Sequence, residues 1–138
     1  DLGGGYGSMC RIFRNYGFTK KYTIFDFPEM CALQRYYLNS VGGGENTVLT
    51  DDIKSLSDDN SITLLIATWS LSEMSLEMRK KLGDIKFDYC LIGFRSEFDG
   101  VDNMEYFEKF KKTYPNINFY IEQAQNIKNN FYLIGVKK

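Results

Sequence analysis

The sequence predicts an α/β fold: a doubly wound, mostly parallel sheet closed by an antiparallel C-terminal hairpin. Three observations predict it. A glycine run, Asp1-Leu-Gly-Gly-Gly-Tyr-Gly7, feeds directly into an amphipathic segment. Short runs of β-branched and aromatic residues then alternate with segments of helical period. The last two such runs follow one another with no helix between them. A length of 138 residues suits one domain, 1–138, with a real hydrophobic core.

The glycine run organises the rest. Gly3, Gly5 and Gly7 fall on alternate positions, and the segment from Ser8 to Tyr16 places Met9, Ile12, Phe13 and Tyr16 on one helical face. Glycine tolerates positive φ, and without a Cβ it lets a ligand approach the backbone closely. The helix start adds N–H groups that favour electron-rich ligand atoms. Asp1 stands where the end of a strand is expected, so the first strand of the sheet is expected to be missing, its residues preceding Asp1. A dinucleotide-binding G-x-G-x-x-G counted from Gly3 requires a third glycine where Ser8 stands. The alternative, D/E-x-G-x-G-x-G, is the first motif of S-adenosylmethionine-dependent methyltransferases. Asp1, Gly3, Gly5 and Gly7 resemble it at every fixed position. A glycine-rich turn that holds no ligand is the plain alternative.

The remaining elements follow in order. Tyr22-Thr-Ile-Phe-Asp-Phe27 is rich in strand formers and stops at Asp26-Phe-Pro-Glu29. Pro28 suits the first turn of a helix, whose apolar stripe is Met30, Leu33 and Tyr37. After a glycine-rich loop, Thr47-Val-Leu-Thr50 is a short strand ending in Asp51-Asp52, with a weak helical turn around Ile53 and Leu56. Residues 61–68 are apolar enough for a central parallel strand. Met74, Met78 and Leu82 mark a helix, residues 87–94 a further strand, and Met104, Phe107, Phe110 and Tyr114 a last helix. Residues 117–121 and 131–136 make the closing hairpin.

Composition limits the function classes. Seventeen Lys and Arg oppose eighteen Asp and Glu, a formal net charge of −1, so no basic field argues for nucleic acid. No histidine is present, and Cys10, Cys31 and Cys90 lack C-x-x-C spacing, which argues against a zinc site and for no bound metal. The cysteines read as small buried apolar residues in a reduced, cytoplasmic setting. No apolar run approaches the length of a membrane span. Oligomeric state leaves no mark in the sequence.

In open α/β sheets the ligand lies beyond the carboxyl ends of the strands, so those ends supply the candidates. Asp26 is spaced to accept hydrogen bonds from ribose hydroxyls, with Phe27 beside it; its alternative role is at the start of the next helix. Asp51 or Asp52 is placed to meet an adenine amino group, or else to cap a helix. Thr68 and Trp69 end the central strand, where the indole can flank cofactor or substrate. Glu73 is the local candidate for a catalytic base, although Ser70 and Glu73 also have capping-box spacing. The alternative base is a residue upstream of Asp1. Arg79 is placed to orient an anionic acceptor, or else is an exposed helix arginine, and Arg95, after the fifth strand, is in the same position.

Three stretches together resemble the sugar O-methyltransferase family. They are Asp1-Leu-Gly-Gly-Gly-Tyr-Gly-Ser8, then Tyr22-Thr-Ile-Phe-Asp-Phe-Pro-Glu29 with Ala32-Leu-Gln-Arg-Tyr-Tyr-Leu38, and Ser70-Leu-Ser-Glu-Met74. They match that family's glycine turn, its Asp-aromatic/Leu-Pro-Glu corner, its Tyr-Tyr-Leu helix end and its Ser-Glu after the fourth strand. The resemblance runs from residue 1 to about residue 80. It departs at Thr68-Trp69, where such proteins often carry Asn-Tyr. It implies a Rossmann-like methyltransferase domain, S-adenosyl-L-methionine as cofactor, and methyl transfer to a saccharide acceptor, often in surface polysaccharide assembly. The alternatives are an NAD(P)-dependent oxidoreductase and a catalytically silent nucleotide-binding or scaffold module of the same fold.

Overall fold

A computed structural model describes residues 1–56, 61–83 and 85–138. The chain divides into two compact units, Asp1–Ser57 and Asp58–Lys138.

The first unit pairs β1 (Tyr22–Phe25) in parallel with β2 (Thr47–Thr50), Phe25 opposite Thr50. Residues at the chain start lie along the other edge of β1, through a parallel bridge between Leu2 and Phe25. Helix α1 (Ser8–Asn15) leads into β1, and α2 (Pro28–Ser40) connects β1 to β2. A single 3-10 turn, Ile53–Leu56, follows β2. The strand ends at Phe25, short of the expected Phe27, because the Asp26 N–H closes the ladder onto Thr50 O at 3.0 Å and the chain then turns into α2.

Both helical stripes expected here hold in part. Met9, Phe13, Met30 and Tyr37 are half-buried, with Phe13 against Phe18 and Tyr22 and Tyr37 against Tyr6. The other members turn outward. In α1 the buried residue is Cys10, while Ile12 is 40% and Tyr16 89% exposed. The inner side of this short helix is taken up by polar stitching. The Arg14 guanidinium donates to the carbonyls of Phe18, Lys20 and Asn46 and to Thr47 Oγ1, tying the two loops before β1 and β2 together. In α2 the buried pair is Gln34 and Leu38, one turn apart. Leu33 is exposed. A buried amide replaces the apolar residue that periodicity expects.

The second unit is a four-stranded sheet in the order β3-β4-β8-β7. Strands β3 (Leu64–Thr68) and β4 (Tyr89–Arg95) are parallel, whereas β7 (Ile117–Gln123) and β8 (Asn130–Lys137) form the antiparallel hairpin. The last strand lies between β4 and β7. β3 starts at Leu64, later than expected, because the Thr63 N–H donates to the Asp88 carboxylate instead of joining the ladder. Helices α3 (Ser70–Glu73) and α4 (Leu76–Lys81) follow β3, and α5 (Asn103–Thr113) precedes the hairpin. Between β4 and α5, β5 (Glu97–Phe98) and β6 (Val101–Asp102) make a small hairpin that the sequence reading missed. Its turn is Asp99-Gly100, both at positive φ, a dipeptide that favours such turns.

The core of this unit is aromatic and aliphatic: Phe94, Phe107, Ile92 and Leu133 are fully buried, with Phe94 and Phe107 rings 4.4 Å apart. Cys90 and Cys10 are buried and all three cysteines are free, but Cys31 is only half-buried. Burial pushes the Cys90 thiol up to about 12. Among the described residues no helix is long and apolar enough to cross a membrane.

Packing is close over Gly135 of β8, where an added Cβ would lie 2.6 Å from Cys90 Sγ and 3.0 Å from both Ile117 Cγ2 and Phe119 Cε1. Gly135→Ala should therefore lower stability by about 1–3 kcal/mol through overpacking. Gly93, also in a buried strand, would meet nothing nearer than the Trp69 ring at 3.5 Å. Gly93→Ala should be neutral or stabilising by about 0.4–1 kcal/mol, because alanine restricts the unfolded chain. Urea unfolding of both variants decides the matter, and equal losses would show that close packing does not set the requirement at Gly135.

Candidate functional site

In the first unit the glycine turn lies against the carboxyl end of β1. The Gly3 N–H donates to Phe25 O at 2.8 Å, and the Phe25 N–H to Asp1 O at 2.9 Å. Gly3, Gly5 and Gly7 have φ of 64°, 57° and 95°. All three alternate glycines thus occupy the left-handed region that side chains avoid. Gly4, between them, is required for a different reason: a Cβ there would stand 2.6 Å from Ile24 Cγ2. Gly7 heads α1 and packs on Leu38, whereas beyond Gly5 a Cβ would meet nothing within 4 Å. No side chain caps α1. The first-turn N–H groups have no intrahelical acceptor.

Asp1 accepts from the Tyr22 hydroxyl through Oδ2 at 3.0 Å. Burial pushes the Tyr22 hydroxyl well above its ordinary range, so it stays a protonated donor. Asp26 is half-buried at the end of β1, and both its oxygens are engaged. Oδ1 accepts from the Phe27 N–H and Oδ2 from Gln34 Nε2, each at 2.9 Å. The residue heading α2 is Phe27, with no side-chain cap, so Asp26 is not the cap of that helix. The Phe27 side chain itself is 67% exposed.

The backbone bond from Asp26 to Thr50 brings Asp51 alongside Asp26. Asp51 is exposed, and among the described residues no hydrogen bond or ion pair engages its carboxylate. Asp52 instead heads the 3-10 turn, accepting from the Lys54 N–H at 3.0 Å. The two aspartates thus separate into a free carboxylate and a cap. Cys31 reports their closeness: its thiol is raised by burial first, then by the charges of Asp26 and Asp51.

Sequence reasoning gave no role to Gln34, which is fully buried. Its Nε2 donates to Gly5 O at 2.7 Å as well as to Asp26 Oδ2. One amide therefore links the glycine turn to the carboxylate at the end of β1. The spacing Asp26 to Gln34, two helical turns into α2, was the available signal.

In the second unit, Thr68, Trp69 and Glu73 gather at the carboxyl end of β3. Trp69 holds φ of 67°, uncommon for a bulky residue and costing about 1–3 kcal/mol. It is fixed by its N–H on Gly93 O at 2.8 Å and by Nε1 on Asn130 Oδ1 at 2.6 Å. Trp69 heads α3, and its carbonyl receives the Glu73 N–H and the Ser72 hydroxyl. The expected capping box between Ser70 and Glu73 therefore does not form. The serine that caps is Ser75, which accepts from the Met78 N–H. The Glu73 side chain is exposed, with no partner among the described residues.

Arg79 is also a correction. It is only 3% exposed, with its guanidinium 4.5 Å over the Tyr106 ring. It donates to Met74 O, Asn103 Oδ1 and Ser72 O at 2.9, 2.7 and 2.6 Å. Burial lowers its pKa, but an arginine remains charged throughout the working range. This guanidinium pins the short helix carrying Glu73. Arg95, at the end of β4, is exposed as expected.

No family model matches the sequence, and no curated protein does. Solved structures match it in fold. The PH0226 protein of Pyrococcus horikoshii OT3 superposes with a TM-score of 0.74 over 100% of this chain and 80% of its own, at 14% identity. An O-methyltransferase family protein of Burkholderia thailandensis gives 0.72 at 12% identity, over 100% of this chain and 50% of its own. The mitomycin 7-O-methyltransferase MmcR gives 0.70 at 12% identity, over 100% and 48%. The chain thus spans about half the length of these two methyltransferases. At such identities the likeness is one of fold, and that fold is the Rossmann-like α/β fold found in methyltransferases.

The planar fork of Arg79 meets three acceptors that a single ammonium cannot replace in the same geometry. Arg79→Lys should cost about 2–4 kcal/mol in urea unfolding, since buried carbonyls lose charged donors. A loss below about 0.5 kcal/mol, the range of ordinary surface changes, would show the network to be dispensable.

Proposed function

We propose that the protein is an S-adenosylmethionine-dependent O-methyltransferase that acts on a sugar hydroxyl, within a single methyltransferase domain, in surface polysaccharide assembly. The observation that carries the reading is the left-handed conformation of Gly3, Gly5 and Gly7, joined through one buried amide to the carboxylate of Asp26. The sugar acceptor rests on the family resemblance of the sequence.

The residues fit the cofactor. Space beyond Gly5 leaves the turn approachable, and the unpaired first-turn N–H groups of α1 favour electron-rich atoms. An ionised carboxylate offers about four acceptor sites, and Asp26 uses two of them internally, leaving two for ribose hydroxyls. Asp51, unengaged beside it, is suited to an amino group of the base. S-adenosylmethionine supplies a methyl group made electrophilic by its sulfonium. The protein's task is to hold the acceptor oxygen in line and to exclude competing water. Glu73 Oε atoms, exposed at the end of β3's following helix, receive the hydroxyl proton as the acceptor reacts. Trp69, its indole N–H bonded to Asn130, is suited to flank cofactor or acceptor.

Calorimetry on the protein should show binding of S-adenosylhomocysteine and none of NADH; the reverse preference would overturn the assignment. Asp26→Asn keeps the shape but loses the charge, so affinity should fall about tenfold or more, the equivalent of one weakened charge-assisted bond.

Glu73 needs a separate test. Glu73→Gln should lower kcat by roughly 10²–10⁴-fold while leaving cofactor binding intact. No capping role complicates the result, because the Ser70–Glu73 box is absent. Methyl transfer to a saccharide acceptor within a few-fold of wild type would remove Glu73 from the reaction.

A further inference from the structure

We infer that Gln34 is a positioning residue that sets the orientation of the Asp26 carboxylate and thereby the preference for a ribose bearing both hydroxyls. The inference rests on the cofactor reading and deepens it.

The side chain is fully buried on α2, so its amide has no access to water. Its two neighbours are both acceptors, Gly5 O at 2.7 Å and Asp26 Oδ2 at 2.9 Å. That settles which end of the amide faces them, since an amide oxygen placed there would oppose a carbonyl and a carboxylate at once. The arrangement has a cost. Gln34 Oε1 is left buried without a hydrogen-bond partner, a penalty that a merely structural residue at a core position would not need to carry. A methionine or leucine would fill the same volume without an orphan acceptor.

What the amide contributes is direction. A free carboxylate at a strand end rotates about its χ2 angle. Here Phe27 N–H holds Oδ1 and Gln34 holds Oδ2, so the carboxylate plane is fixed from both sides. The same Nε2 holds the carbonyl of Gly5, the position where the turn is open. The two parts of the site are thereby kept in register by one group. A diol that must meet both carboxylate oxygens depends on that plane; a ligand with one hydroxyl depends on it less.

The test compares S-adenosylhomocysteine with its 2′-deoxy analogue in calorimetry, using wild type, Gln34→Met, Asp26→Asn and the double variant. The wild type should prefer the ribose form. Gln34→Met should weaken S-adenosylhomocysteine about three- to tenfold and weaken the deoxy analogue less, so that the preference shrinks. In the Asp26→Asn background the same substitution should add little, because residues acting through one another are not additive. Gln34→Glu, equal in size but with acceptors in place of donors, should shift the preference in the same direction if the methionine variant folds poorly. Equal weakening of both ligands, or full additivity with Asp26→Asn, would overturn the inference and leave the cofactor reading standing. Absence of S-adenosylhomocysteine binding by the wild type would remove both.

Discussion

A side chain at residue 4 would place its first carbon 2.6 Å from Cγ2 of Ile24, so the turn can lie against β1 only as glycine. That approach is what the first unit depends on. It lets the Gly3 N–H reach Phe25 O, which puts the turn at the carboxyl end of the strand. It also delivers Gly7 onto Leu38 of α2, so closely that an added Cβ would lie 3.1 Å from Leu38 Cγ. The turn therefore packs directly on Ile24 of the strand and Leu38 of the helix, and Gln34 bonds it to Asp26. Glycine here is used twice over, at some positions for its dihedral freedom and at another for its lack of bulk.

The alternation of strands and helices was legible because the strand runs are dense in β-branched and aromatic residues, and the missing helix before the last strand marked the hairpin. Alternate glycines at positive φ were legible from spacing alone. Helix faces were not. Periodicity assigns apolar residues inward, but α1 turns Cys10 and the Arg14 stitching toward its neighbours, and α2 buries Gln34. A buried polar side chain is stable only if its partners are in place, and one of those partners, Gly5, lies 29 residues away in sequence. The same blindness hid Arg79, whose acceptors come from α3 and from Asn103. The Ser70–Glu73 spacing misled for a local reason: Trp69 adopts a left-handed backbone and starts the helix one residue earlier.

The carboxylates were located by strand ends, and their differing roles were not. Asp51 and Asp52 are adjacent and chemically identical, yet only Asp52 bonds back to its own turn. Which neighbour is free depends on where the 3-10 turn begins, a matter of one residue that propensity does not resolve. Asp26 is the reverse case. Its place before Pro28 suggested a cap, but the N-cap position of α2 is Phe27 and the carboxylate is committed to Gln34 and the adjacent N–H.

Trp69 is the single tryptophan in the chain. Its indole N–H is tied to Asn130 and its ring stands edge-on to Tyr132, 6.1 Å away. Light absorbed at the red edge of the protein's ultraviolet band is therefore emitted from one location, the carboxyl end of β3. Whatever approaches the indole, or loosens its bond to Asn130, alters the colour or lifetime of the whole signal, so the chain carries an optical reporter at the candidate acceptor wall without any added label.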